Sequence, residues 1–220
     1  MIGDTIKVII PASGAGVRFG AAVPKQFLEL CGVHILKRTI SIFQEMDEID
    51  EIVVAVSPGY AEMVQAYGLS KARIVEGGEN RAASVYAALN TLSTNTGIVL
   101  IHDGVRPFTT PCLVRAVIAA VKKYGAAVPC IPVTDTIKQV DPHGKITATH
   151  DREKLWRAQT PQGFTYDIIT AAYRQAEKGG MEATDDSVLV ERMGVPVYVV
   201  PSEVGNIKIT TPEDLIPISR

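Results

Sequence analysis

Short apolar runs rich in valine and isoleucine alternate along this chain with longer segments in which apolar residues recur at helical spacing. This alternation is typical of parallel strands joined by crossover helices, because such strands are buried on both faces. The pattern predicts an α/β fold with a mostly parallel sheet flanked by helices. Strands are expected at residues 7–11, 52–57, 73–76, 97–102, 126–131 and 197–200. Helices are expected at residues 34–46, 60–67, 81–91, 111–123, 166–178 and 185–193.

Length, charge and cysteine usage narrow the class of protein. A chain of 220 residues without a linker rich in proline, glycine or serine predicts a single domain over residues 1–220. The 22 Lys and Arg nearly balance the 24 Asp and Glu, which disfavours nucleic acid as a partner. The apolar runs are shorter than the roughly 18 residues of a membrane span. Without an export signal or paired cysteine spacing among Cys31, Cys112 and Cys130, a cytoplasmic protein is expected.

Residues 134–150 break the alternation. Two polar segments flank the turn Asp141-Pro-His-Gly144, which predicts a β-hairpin. The hairpin carries few large apolar residues, and an isolated hairpin is only marginally stable in water. Two interpretations stay open at this point: a solvated flap, or an arm that packs on a second subunit.

The most informative motif follows the first predicted strand. It reads Pro11-Ala-Ser-Gly-Ala-Gly-Val-Arg-Phe-Gly20, with Pro24-Lys-Gln26 just beyond. Glycines and small residues expose backbone N–H groups to a bound anion, so the motif predicts a phosphate-binding loop. It lacks both the glycine spacing of a dinucleotide site and the Gly-Lys-Ser/Thr of a P-loop. Arg18 and Lys25 add cations that suit a triphosphate and the charge that develops during its cleavage.

A second glycine motif, Glu76-Gly-Gly-Glu-Asn-Arg-Ala-Ala-Ser84, joins a predicted strand to a predicted helix. One interpretation is a tight turn, with Asn80 capping the helix and Arg81 solvated in its first turn. The other is a surface for a flat base, with Ser84 as a hydrogen-bonding group. The motif by itself does not choose between them.

A third motif, His102-Asp-Gly-Val-Arg-Pro107, ends a buried strand. Open α/β sheets bind ligands at the carboxyl ends of their strands, so Asp103 is a candidate Mg²⁺ ligand, with capping of a loop as the alternative. Arg106 is interpreted either as a fork for a phosphate or as a loop salt bridge. His102 is interpreted as a structural histidine without a catalytic role.

Taken in order, nine motifs span nearly the whole chain: A-x-G-x-G-x-R, P-K-Q, G-G-x-x-R-x-x-S-V, H-D-x-x-R-P, D-T-I-K, R-x-x-L-W, Q-T-P-Q-x-F, T-D-D and N-I-K-I-T-x-P-E-D-L. In this order the chain resembles the 2-C-methyl-D-erythritol 4-phosphate cytidylyltransferase family of the non-mevalonate isoprenoid pathway. The resemblance implies a Rossmann-like nucleotidyltransferase fold, CTP and a polyol phosphate as substrates, Mg²⁺, diphosphate release, and a homodimer joined through residues 134–150.

The resemblance also implies roles for individual residues. The catalytic cations would be Arg18, Lys25 and Lys208. The CTP-binding residues would be Pro11, Ala12, Ser13, Gly14, Gly16, Gly78, Glu79, Ser84, Asp103 and Gly104, with Asp103 also the metal ligand. The acceptor-binding residues would be Arg106, Thr136, Arg152, Thr160 and Thr184, with Thr136 and Arg152 reaching in from the other subunit.

Residue chemistry agrees with that reaction, because a phosphomonoester is already an anionic nucleophile at neutral pH and needs no general base. The reaction instead needs in-line placement and cations. Ser13 stands where the family usually has alanine, and Gly104-Val105 where it often has Ala-Ala. These motifs are shared with enzymes that use ribitol 5-phosphate, so that acceptor stays an alternative. A second alternative is a nucleotide-sensing module without chemistry, which the three cations disfavour.

Overall fold

A computed structural model of the chain describes residues 5–14, 23–179 and 185–214. Its strands, numbered in chain order, are β1 (Thr5–Pro11), β2 (Glu29–Leu30), β3 (Val33–His34), β4 (Glu51–Val56), β5 (Ala72–Glu76), β6 (Thr96–Ile101), β7 (Ala126–Pro132), β8 (Lys138–Val140), β9 (Ile146–Thr149), β10 (Trp156–Ala158), β11 (Gln162–Thr165) and β12 (Tyr198–Pro201). Its α-helices are α1 (Ile35–Gln44), α2 (Ala61–Gln65), α3 (Arg81–Leu89), α4 (Pro111–Tyr124), α5 (Tyr166–Gly179) and α6 (Asp186–Arg192).

The central sheet is mainly parallel. Its strand order is β10-β7-β11-β6-β1-β4-β5, with β12 paired to β7. The pairs β1–β4, β1–β6, β4–β5 and β7–β12 are parallel, whereas β10 and β11 run antiparallel to their neighbours. The predicted α/β class is confirmed, and each predicted strand and helix is present to within two residues at either end.

The sequence pattern did not predict four short strands: β2 and β3, which form a separate two-stranded sheet, and β10 and β11 of the central sheet. β11 reads Gln-Gly-Phe-Thr and contains one large apolar residue, so no apolar alternation marks it. It is nevertheless buried, because it lies between β6 and β7. A Cβ at Gly163 would lie 2.7 Å from side-chain carbons of Val117 and Val121 of α4, so only glycine lets the helix pack this close to the strand.

The central strands are buried on both faces. On β1, Val8 and Ile10 belong to the same buried cluster as Leu36 of α1, while Ile9 between them packs with Val85 of α3 on the other face. Alternate side chains of a strand point to opposite faces, so a helix layer on each side demands an unbroken apolar run. The carboxyl ends of β1, β4 and β6 therefore meet at one edge of a rigid sheet.

Residues 134–150 contain the predicted hairpin, with shorter strands than expected. β8 and β9 pair antiparallel and form a two-stranded sheet separate from the central one. In the turn, Oδ1 of Asp141 accepts hydrogen bonds from the backbone N–H groups of His143 and Lys145, each at 2.9 Å. Val140 and Ile146 are 55% and 56% exposed, so the hairpin makes little apolar contact within its own chain.

Candidate active site

Two adjoining cavities lie at the carboxyl edge of the sheet. The first cavity, of about 360 Å³, is lined by Pro11, Ala12, Ser13, Gly14, Lys25, Gln26, Arg81, Asp103, Gly104, Val105 and Lys208. The second cavity, of about 200 Å³, is lined by Arg81, Asp103, Arg106, Ala158, Gln159, Thr160, Gln162, Asp185 and Lys208. Arg81, Asp103 and Lys208 line both, so the two cavities meet at these side chains.

Most of the sequence-predicted residues converge here. The first cavity contains the predicted Pro11, Ala12, Ser13, Gly14, Lys25, Asp103, Gly104 and Lys208. The second contains Arg106 and Thr160. Thr136 and Arg152 are exposed and line neither cavity of their own chain. Gly16, Arg18 and Thr184 lie outside the described residues.

A buried glutamine holds the first glycine loop. Gln26 follows Lys25, and its Nε2 donates to the carbonyl oxygens of Ala12 at 2.7 Å and Gly14 at 3.0 Å. These bonds tie the Lys25 segment to the loop that follows β1, so Lys25 and the loop line the same cavity. Gln26 belongs to the predicted motif, but this role was not predicted; the signal was its place next to Lys25.

The second glycine turn supports the first loop from behind. The Ser13 hydroxyl lies 3.2 Å from the Gly78 carbonyl oxygen and 2.5 Å from the Ser84 hydroxyl. A Cβ at Gly77 would lie 2.5 Å from the Ser13 Cβ, so a side chain there would displace the loop. Asn80 caps α3 as predicted, accepting from the Ala83 N–H at 2.8 Å. Gly78, Ser84 and the exposed Glu79 do not line the first cavity, and their contact with a base stays a prediction.

Asp103 is an almost buried carboxylate surrounded by cations. Its Oδ1 accepts from Arg81 Nε at 3.1 Å, and its Oδ2 from Arg106 Nε at 3.2 Å and Lys208 Nζ at 3.0 Å. Burial opposes ionisation of the carboxyl, but the charges of Arg81, Lys208 and Arg106 outweigh it and hold the pKa of Asp103 well below its usual range. The carboxylate therefore stays ionised at any physiological pH and fixes three cations around it.

The interpretation of Arg81 as a solvated residue in the first turn of α3 is wrong. Its guanidinium pairs with Asp103 and also donates from Nη2 to Oδ2 of Asp186 at 2.7 Å. Burial acts to lower the pKa of Arg81, but the two carboxylates, Asp186 foremost, raise it above its ordinary value. Asp186 begins α6, more than 100 positions along the chain, so local sequence offered no sign of this pairing.

The backbone around Lys208 is held by a second set of contacts. Arg106 Nη1 donates to the Asn206 carbonyl oxygen at 2.8 Å, and Asn206 Nδ2 donates to the Thr160 carbonyl oxygen at 2.8 Å. The Ile209 N–H donates to the Val105 carbonyl oxygen at 2.9 Å. Lys208 thus lies in a non-strand segment that is held beside Asp103. Arg106 forms a salt bridge with Asp103, as one of its two interpretations predicted. Its contact with a substrate phosphate stays a prediction.

His102 completes the turn at the end of β6 as a neutral ring. Nε2–H donates to the Arg106 carbonyl oxygen at 3.1 Å, and Nδ1 accepts from the Thr160 hydroxyl at 3.1 Å. The same hydroxyl accepts from the Asp103 N–H at 3.0 Å. Burial lowers the pKa of His102 to about 4. The ring therefore holds the Asp103 backbone in place and does not carry a proton to substrate.

Because His102 is buried as a neutral ring, we expect acid to destabilise the fold. Its pKa is about 4 when folded and about 6.5 when unfolded, so protonation favours the unfolded chain and the free energy of unfolding falls as the pH drops from about 6.5 to 4. The expected loss is about 3 kcal/mol. The pKa of Asp103 is lowered in the folded protein. Its carboxylate therefore reduces the free energy of unfolding further only below about pH 4, where the unfolded chain binds the proton. Urea unfolding of the wild type and His102→Gln at pH 7, 5.5 and 4.5 measures the difference; parallel pH dependence in the two proteins would contradict this role.

A parallel α/β sheet with a glycine loop and cations grouped around one carboxylate at its carboxyl edge suits a nucleotide and a second anionic substrate. The fold and the site therefore fit a protein that brings a nucleotide and a second anion together.

Comparisons with known proteins give the family. The sequence model of the 2-C-methyl-D-erythritol 4-phosphate cytidylyltransferase family matches residues 6–218. The enzyme of that name from Symbiobacterium thermophilum is 45% identical over 210 residues, covering 95% of this chain and 89% of the relative. The crystal structure of 4-diphosphocytidyl-2C-methyl-D-erythritol synthase from Anaerococcus prevotii has a TM-score of 0.88 at 32% identity, covering 98% of this chain and 95% of that one. The corresponding cytidylyltransferase of Thermus thermophilus has a TM-score of 0.83 at 37% identity, covering 97% of both chains. The chain belongs to the 2-C-methyl-D-erythritol 4-phosphate cytidylyltransferase family.

Proposed function

We propose that this chain transfers the cytidylyl group of CTP to 2-C-methyl-D-erythritol 4-phosphate, giving 4-diphosphocytidyl-2-C-methyl-D-erythritol and diphosphate. The observation that carries the proposal is the junction of the two cavities at Arg81, Asp103 and Lys208. A nucleotide in the first cavity and a phosphorylated acceptor in the second would meet beside the Lys208 ammonium. The names of the relatives support the identity of both substrates.

The reaction needs charge and placement from the protein. An oxygen of the acceptor phosphate forms a bond to the α-phosphorus of CTP, and the bond from that phosphorus to the bridging oxygen breaks, its electron pair leaving on diphosphate. Both reactants are anions, so cations must offset their repulsion and stabilise the transition state. Lys25 and Lys208 line the first cavity and are proposed for this role together with Arg18.

The binding residues divide between the two cavities in this proposal. Pro11, Ala12, Ser13 and Gly14 line the nucleotide side, and Gly16 is proposed to bind CTP with them. Gly78, Glu79, Ser84, Asp103 and Gly104 would contact the base and ribose. Arg106 and Thr160 line the acceptor side, and Thr184 is proposed to bind the acceptor with them. Gln159, Gln162 and Asp185, which the sequence analysis did not assign, add polar groups to the second cavity and suit the hydroxyl groups of a polyol.

Mg²⁺ fits this site as a partner of the triphosphate more than as a protein-held ion. Within the described ranges no group of three or more His, Cys, Asp or Glu side chains is arranged to hold a metal. Asp103 is the acidic residue that lines the first cavity, and both of its oxygens already contact cations. We therefore propose that substrate phosphate oxygens supply most of the ligands, with Asp103 as the protein ligand. Bound Mg²⁺ would neutralise charge on the leaving diphosphate.

Thr136 and Arg152 line neither cavity of their own chain. A homodimer with a composite active site would explain their position. Arg152 donates from Nη1 to the Thr134 carbonyl oxygen at 2.8 Å, which holds it at the base of the hairpin and away from both cavities of its chain. The exposed Val140 and Ile146 give the hairpin an apolar surface for a partner. We propose that residues 134–150 pack on a second copy, where Thr136 and Arg152 would bind the acceptor's phosphate.

The proposed location is the cytoplasm. Cys31, Cys112 and Cys130 are free thiols in the structure, which agrees with a reducing compartment. Of the helices in the described ranges, none has both the length and the apolar character of a membrane span. The nearly balanced charge supports small anions, and not nucleic acid, as partners.

Release of diphosphate tests the proposed function. With CTP, Mg²⁺ and 2-C-methyl-D-erythritol 4-phosphate, we expect one diphosphate per acceptor consumed, and none from CTP alone or in the presence of a chelator. Ribitol 5-phosphate at the same concentration is expected to react far more slowly. Faster reaction with ribitol 5-phosphate would establish the alternative acceptor. Binding of CTP without diphosphate release from either acceptor would establish the nucleotide-sensing alternative.

A further inference from the structure

The buried carboxylate of Asp186 lies outside both cavities and holds the guanidinium of Arg81, which lines both. Asp186 is fully buried and lines neither cavity. Its Oδ1 accepts from the Tyr173 hydroxyl at 2.6 Å, and its Oδ2 accepts from Arg81 Nη2 at 2.7 Å. On its other side, Arg81 donates from Nε to Oδ1 of Asp103 at 3.1 Å. The guanidinium therefore bridges a carboxylate behind the site and a carboxylate at the cavity junction.

Because Arg81 contacts Oδ1 of Asp103, Oδ2 is the oxygen that contacts Lys208. Arg81 occupies Oδ1, whereas Oδ2 contacts Lys208 Nζ at 3.0 Å and Arg106 Nε at 3.2 Å. A carboxylate held by donors on both oxygens cannot rotate without lengthening charge-assisted hydrogen bonds. The position of Arg81 thus fixes the plane of the Asp103 carboxylate, and that plane fixes the place of the Lys208 ammonium.

We propose that Arg81 is a positioning residue for Lys208 and that Asp186 anchors Arg81 from outside the cavities. The inference rests on the proposed function in one respect, the part given to Lys208 in the reaction. A guanidinium is a rigid planar fork that can serve two carboxylates at once, whereas an ammonium is a point charge on a flexible stem. Positive charge at position 81 is therefore insufficient, and the geometry of arginine is required.

Arg81→Lys tests the geometry while keeping the charge. We expect kcat to fall about tenfold or more, because small misplacements of a reacting group cost rate, while KM for CTP stays within about threefold. Introduced into Lys208→Ala, the same change is expected to lower kcat no further, because its effect passes through Lys208. Arg73→Lys is the matched control, since Arg73 forms a similar pair with Glu51 at 2.7 Å and lines neither cavity; its kcat is expected to be that of the wild type.

Asp186→Asn provides a second test if Arg81→Lys does not fold. It removes the charge of the rear anchor without changing a cavity wall. The charge-assisted bond from Arg81 becomes a weaker bond to a neutral acceptor, and we expect kcat to fall at nearly constant KM. Tyr173→Phe, which removes the other hydrogen bond to Asp186 but keeps both ion pairs of Arg81, is expected to keep its kcat. All rates are normalised to the folded fraction from urea unfolding.

The outcomes separate this inference from the proposed function. Wild-type kcat in both Arg81→Lys and Asp186→Asn, or a full further loss when Arg81→Lys is added to Lys208→Ala, would overturn the positioning role alone. Wild-type kcat in Lys208→Ala would overturn the role of Lys208 and the inference with it. No diphosphate release by the wild-type protein would overturn the proposed function itself.

Discussion

Replacing Lys25 by alanine is expected to lower kcat by about 100- to 1000-fold, which corresponds to a loss of about 3 to 4 kcal/mol of transition-state stabilisation. Lys25 lines the first cavity beside the glycine loop, and Gln26 fastens its segment to that loop through Ala12 and Gly14. The segment that carries the ammonium is thus in place before the negative charge of the transition state develops. Arg18→Ala is expected to cause a similar loss on the charge argument alone.

Stability measurements separate this effect from unfolding. Lys25 is half-buried in a short helical turn, so its replacement is expected to change the free energy of unfolding by less than about 1 kcal/mol. Lys122→Ala is the matched control, because Lys122 is an exposed lysine near the end of α4 that lines neither cavity. Folded Lys25→Ala protein with turnover close to that of the wild type would contradict the assignment.

Mixing two inactive variants is expected to restore activity if the site is composite. A dimer of one Lys25→Ala chain and one Arg152→Ala chain would contain one site with both defects and one site with neither. With random exchange of equal amounts, about a quarter of the sites are intact, so activity should recover from near background to about a quarter of the wild-type value. The structure motivates the test, because Arg152 bonds to Thr134 and lines neither cavity of its own chain.

Subunit exchange needs an independent measurement first, for example energy transfer between chains that carry different fluorophores. A mixture of Lys25→Ala with Lys208→Ala serves as the matched control, since both residues line the same cavity and each mixed dimer would have one defect in each site. No recovery in that mixture is expected. If exchange is demonstrated and the Arg152→Ala mixture also stays inactive, Arg152 acts within its own chain and the composite site must be abandoned.

The sequence by itself determined the elements of the fold and the first glycine loop. Strands buried on both faces need unbroken apolar runs, and helices packed on one face need apolar residues at helical spacing. Both patterns involve residues that are close together in the sequence, so they can be recognised from the sequence alone. The predicted residues Ser13, Lys25 and Asp103 follow strand or loop signals of this local kind, and they meet at one cavity because parallel strands end at the same edge.

Contacts between distant segments were decided by the tertiary structure alone. β11 is a strand because β6 and β7 provide hydrogen-bonding partners on either side, although its own four residues carry no strand pattern. Arg81 and Asp186, the first residues of α3 and α6, form an ion pair at 2.7 Å, a proximity that neither helix encodes in its own residues. Hydrophobic periodicity is a property of neighbouring residues, whereas a buried charge is stable only where a partner from elsewhere compensates it. The fold class could therefore be predicted from the sequence, but the charge network around Asp103 could not.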